Sequence, residues 1–89
     1  MTKYEAAMQI VYELYALQVR LWELLDADLS DPNLRKEAKK QTKIFESLLQ
    51  SADWRYMGGE DVYESLKQLP EEVTVKLKMY TVKTGKVVN

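Results

Sequence analysis

The sequence predicts a mainly α fold of the α+β class: a long antiparallel helical hairpin, a short third helix and a C-terminal β-hairpin. Three observations predict it. Residues 3–28 contain no Gly or Pro and are rich in Ala, Leu, Glu, Gln and Met, which favour helix. The run Ser30-Asp31-Pro32-Asn33 breaks that pattern, and a second helical period follows. Residues 73–80 then alternate apolar and polar side chains, the period of a half-buried strand.

The first helix, 3–28, has a narrow polar face of Glu5, Gln9, Glu13, Arg20 and Glu23. Its apolar arc covers roughly 240°, far more than the stripe of about 100° on an ordinary surface helix. The arc resolves into two seams. One is Tyr4, Met8, Val11, Tyr15, Gln18, Trp22 and Leu25; the other is Ala7, Ile10, Leu14, Leu17, Leu21 and Leu24. Two seams imply two packing partners. One is the second helix; the other is expected to be a second copy of the chain, with Leu14, Leu17, Leu21 and Leu24 as the self-association set of a homodimer.

The second helix is expected over 32–53. Asp31 before Pro32 fits an N-cap and first-turn proline, with Ser30 as the rival cap. Its stripe is Leu34, Ala38, Gln41, Phe45, Leu48 and Ala52. Gly58 or Gly59 is expected to end this region. A third helix is expected over 60–69, with Val62, Tyr63, Leu66 and Leu69 on one side, and Pro70 is expected to stop it. Residues 73–89 are expected to form a hairpin. Val73, Val75, Leu77 and Met79 face inward, Lys76 and Lys78 guard its outer face, and the turn falls at Thr84-Gly85. With 89 residues the chain makes one small domain, 1–89.

Composition narrows the chemistry. The chain has no Cys and no His, which removes thiolate catalysis, disulfides, thiolate-bound zinc and the commonest general base. The net charge of −1 gives no global field toward nucleic acid or membrane. Charge instead comes in blocks. Residues 1–31 hold six acids and two bases, 32–55 six bases and three acids, 56–72 five acids and one base, and 73–89 four lysines and no acid. No apolar run approaches the about 20 residues of a transmembrane helix, and glutamates interrupt the first apolar pattern, so a cytoplasmic protein is expected.

The run Gly58-Gly59-Glu60-Asp61 resembles the start of the Gly-Gly-(Asp/Glu)-Glu-Phe signature of diguanylate cyclases. The resemblance fails at Val62, where the family has phenylalanine, and a helix is expected to follow. Asp26, Asp28 and Asp31 are clustered, but the spacing, glycine and terminal glutamate of a calcium loop are missing, so they read as a solvated acidic turn. Lys83-Thr84-Gly85-Lys86 lacks the glycine-rich lead-in of a phosphate-binding loop. No carboxylate pair stands out for acid–base work. No enzyme activity, metal or cofactor is expected.

Two surfaces remain. Lys36, Lys39, Lys40 and Lys43 cluster opposite Phe45, a stripe able to neutralise phosphates. Continued in the register of the second helix, Trp54 falls about 180° from Phe45, on the lysine face, where with Arg55 and Tyr56 it is suited to stacking on a nucleic-acid base or anchoring a protein partner. The competing expectation folds Trp54, Tyr56 and Met57 over the hairpin core. The function expected is that of a small non-enzymatic regulatory module that binds a protein and occludes its site, with partner-binding residues Trp54, Arg55, Tyr56, Lys36, Lys40 and Lys43. By analogy, compact chains without Cys or His occur among small regulators and phage-encoded inhibitors. The alternative is a nucleic-acid-binding accessory protein that uses the lysine face.

Overall fold

The computed structural model describes residues 2–85, with side chains described through Tyr80. The element order is α1 (Lys3–Asp26), α2 (Pro32–Ser51), a single 3-10 turn (Trp54–Tyr56) and α3 (Glu60–Gly85). α1 and α2 form the expected antiparallel hairpin, and α3 packs against both.

Each helix start has a local cause. Thr2 caps α1 in a reciprocal box: its hydroxyl accepts from the Glu5 N–H at 3.1 Å, and the Glu5 carboxylate accepts from the Thr2 N–H at 2.8 Å. Asp31, not Ser30, caps α2, accepting from the Asn33 N–H at 2.8 Å, with Pro32 at the first helical position. α2 ends at Ser51, where Ala52 turns extended, before the glycines are reached. Gly58 (φ +87°) and Gly59 (φ +119°) instead make the turn from the 3-10 segment into α3, a backbone path that side-chain-bearing residues rarely take.

The expected C-terminal β-hairpin is not present: α3 runs unbroken from Glu60 to Gly85, and no strand occurs among the described residues. Thr84 and Gly85 lie at the end of α3, and the expected return strand at 86–89 falls outside the described residues. The reason lies in which period buries more. Leu66, Leu69, Val73 and Leu77 follow helical spacing and are all buried, whereas Val75 and Met79, which share a strand face with Val73, are 58% and 60% exposed. Pro70 lies inside the helix rather than ending it. An interior proline costs about 3 kcal/mol. Here Pro70-Glu71-Glu72 also has the composition of a helix start, proline first and acids in the first turn, so the residues after it favour helix locally.

One core joins the elements. α1 supplies Val11, Leu14, Leu21 and Leu24, and the connection supplies Leu29. α2 supplies Ala38, Phe45 and Leu49, and α3 supplies Leu66, Leu69, Val73 and Leu77 over Met57. The self-association set therefore needs correcting. Leu14, Leu21 and Leu24 have no exposed surface within a single chain, and Leu17 packs against the same core. The seam expected to meet a second copy is the one that meets α2 and α3.

Polar contacts fix the register. The Arg20 guanidinium donates twice to Glu37 of α2, both at 2.6 Å, and once to Glu23 at 2.9 Å. Lys76, expected to point outward from a strand, instead donates to the carbonyls of Leu25 and Ala27 (2.7 Å for the latter). α1 has no base in its own last turn, so α3 supplies the cation that its C-terminal carbonyls favour.

Candidate functional site

The apolar arc of α1 is wider than one bundle can cover, and what is left over faces outward. Tyr4 is 58% exposed, Tyr12 66%, Tyr15 37%, Val19 52% and Trp22 51%. With the half-buried Met8 they occupy about 80° of the helix surface, adjacent to the buried seam. From Met8 the row Met8, Tyr12, Tyr15, Val19, Trp22 advances by alternating steps of four and three, the spacing of a helix-packing seam. An open hollow of about 640 Å³ lies among Tyr4, Met8, Tyr12 and Ala16, with Glu5, Gln9 and Glu13 on its rim.

The connector after α2 extends this face. Asp53 caps the 3-10 turn, accepting from the Arg55 N–H at 3.0 Å, and also receives the Arg55 guanidinium at 2.7 and 2.9 Å. These bonds, the guanidinium first, hold the Asp53 carboxyl below its ordinary value. The turn buries Met57 but leaves Trp54 44% and Tyr56 39% exposed. The expectation that all three close the core holds for Met57 alone. Tyr56 stands edge-on to Tyr4 with ring centroids 5.5 Å apart. The Tyr15 hydroxyl donates to the Met57 carbonyl at 3.4 Å. The candidate residues Trp54, Arg55 and Tyr56 thus sit at the foot of the α1 stripe.

The lysines lie elsewhere. Lys36, Lys39, Lys40 and Lys43 are all exposed on α2, opposite the buried Phe45. Lys39 and Lys43 share a groove of about 270 Å³ with Lys78 of α3, while Glu46 also lines it. Lys36 and Lys40 lie outside that groove, so the cluster divides. Thr42, at the floor of the same region, has its hydroxyl buried without a hydrogen-bond partner among the described residues.

The acidic turn has structural uses. Asp28 accepts from the Ser30 N–H at 3.0 Å, which lowers its carboxyl below the ordinary value, and Asp31 caps α2. Among the described residues no group of three or more acids stands close enough to hold a metal ion. No described helix is long and apolar enough to cross a membrane.

Comparison with family models, curated proteins and solved structures returned no match. The functional reading therefore rests on the surface of this chain.

Tyr12 and Val19 escaped the sequence reading, which placed them in neither seam. The signal was there: an arc of roughly 240° is wide enough for three rows, and Tyr12 and Val19 complete the third.

Proposed function

We propose that the chain is a small, non-enzymatic protein-binding module that acts by covering a partner's site. The observation behind this reading is the row of half-exposed aromatics along α1, continued by Tyr56. Aromatic side chains of this size supply about 150–250 Å² each when fully buried. Four of them at the exposures above, with Val19, offer roughly 500 Å² of apolar surface, within the range of the largest patch on a monomer, which is often functional. Fixed on one helix, these rings lose little freedom on binding and suit the anchoring role of interface aromatics. A cytoplasmic setting belongs to the same proposal.

A second reading is favoured by one feature. Lys39, Lys43 and Lys78 converge on a single groove from two helices, an arrangement suited to a phosphate backbone.

The two readings separate in a capture experiment on the source cell, with nuclease-treated and untreated extracts. Protein binding predicts one protein retained in both extracts, lost with Tyr12→Glu plus Val19→Glu and kept with Lys39→Glu plus Lys43→Glu. Capture that requires intact nucleic acid and the lysines would replace the first reading with the second.

A further inference from the structure

We infer that the outer face of α1 receives a basic amphipathic helix. The inference rests on the protein-binding reading and adds the chemistry of the partner. The stripe from Tyr4 to Trp22 is about 27 Å long, the length of roughly 18 helical residues. Its steps of four and three match the spacing with which a second helix places its own anchors.

The border of the stripe decides the charge of that helix. Glu5 and Glu23 flank it on one side, Glu13 stands farther round on the polar face, and Asp26 lies in line with its upper end. Two bases stand near it and both are engaged: Arg20 by Glu37 and Glu23, and Arg55, at its foot, by Asp53. An acidic border repels nucleic acid and anionic lipid, and it attracts lysines and arginines set beside apolar anchors.

A second copy of the chain fits less well. An antiparallel pair can set Tyr4 against Trp22, Met8 against Val19 and Tyr12 against Tyr15. That pairing also brings Glu5 of one chain beside Glu23 of the other, and like charges at a rim disfavour association. The roughly 500 Å² of apolar surface is over half of the about 800 Å² that each side of a standard interface buries, which leaves the charged border to complete it.

The test uses the full chain and a displayed library of random 18-residue peptides. Binders are sorted by their loss of affinity for Tyr12→Glu plus Val19→Glu, whose fold is checked by circular dichroism. Stripe-dependent peptides, defined by at least a tenfold loss, are expected to carry apolar residues at helical spacing and net positive charge. Their binding is expected to weaken severalfold from 50 to 300 mM salt. Glu23→Lys with Asp26→Lys, which leaves the stripe intact, should weaken them at least tenfold. Stripe-dependent peptides that are neutral or acidic would overturn the basic-helix inference and leave the protein-binding reading standing. Binders all indifferent to the double variant would overturn both. A concentration-dependent dimer in sedimentation, abolished by the same variant, would assign the face to a second copy instead.

Discussion

Tyr4 and Tyr56 meet edge to face, with ring planes at 76°. The contact joins the start of α1 to the connector after α2, 52 residues later in the chain. It makes one surface of two segments that look unrelated in sequence. Tyr56→Ala should therefore loosen the foot of the stripe with a small stability loss, about 0.5–1.5 kcal/mol, the usual contribution of an aromatic pair. Chemical denaturation of the single and double variants with Tyr4→Ala checks this, and strict additivity would show that the rings do not cooperate.

Val73 and Val75 separate helix from strand. In a strand they share a face; in α3 they lie about 200° apart. Val73 is fully buried and Val75 is exposed. Val73→Asp should cost more than about 3 kcal/mol, since it buries an unpaired charge, while Val75→Asp should stay within about 0.5 kcal/mol. Equal damage from both would restore the strand.

Thr42 carries a buried hydroxyl without a partner among the described residues. Val keeps its shape and removes that hydroxyl, so Thr42→Val should stabilise the fold by about 1 kcal/mol. A lower melting temperature would mean that the hydroxyl is satisfied in solution.

Acid should destabilise the chain in a defined window. The Arg20 guanidinium, through its hydrogen bonds first, holds the Glu37 carboxyl below its ordinary value, and Glu5, Asp28 and Asp53 are lowered by their own hydrogen bonds. A lowered carboxyl binds fewer protons folded than unfolded. The stability it confers is complete above the unfolded carboxylate value and fades as pH falls through the folded one. With no His in the chain, the melting temperature should be flat from pH 8 to about 5 and fall below it. Glu37→Gln should reduce the slope of that fall. An unchanged slope would mean that the ion pair does not persist in solution.

The helical hairpin was legible because its signals are local: an unbroken apolar period, then Asp31-Pro32 at a helix start. The C-terminal segment was not, because Val73, Val75, Leu77 and Met79 satisfy period two over so short a run, while the buried helical stripe needs Leu66 and Leu69 from before Pro70. Reading Pro70 as a stop cut that stripe in half. The width of the α1 arc foretold an unpartnered face, but the choice of seam depends on which side α3 covers. That, in turn, depended on α3 being one long helix. The lysines of α2 were read as an exposed face from their position opposite Phe45, and they are exposed; their division between groove and outer surface needed α3 in place.

The central claim is that binding runs through the exposed stripe of α1. Its most direct test is isothermal titration calorimetry of the captured partner against three forms: the unmodified chain, Tyr12→Glu with Val19→Glu, and Lys39→Glu with Lys43→Glu, all matched for melting temperature. The account predicts at least tenfold weaker binding for the stripe variant, equivalent to about 1.4 kcal/mol or more, and a change within about twofold for the lysine variant. The reverse ranking, with the stripe variant binding as tightly as the unmodified chain, would contradict it.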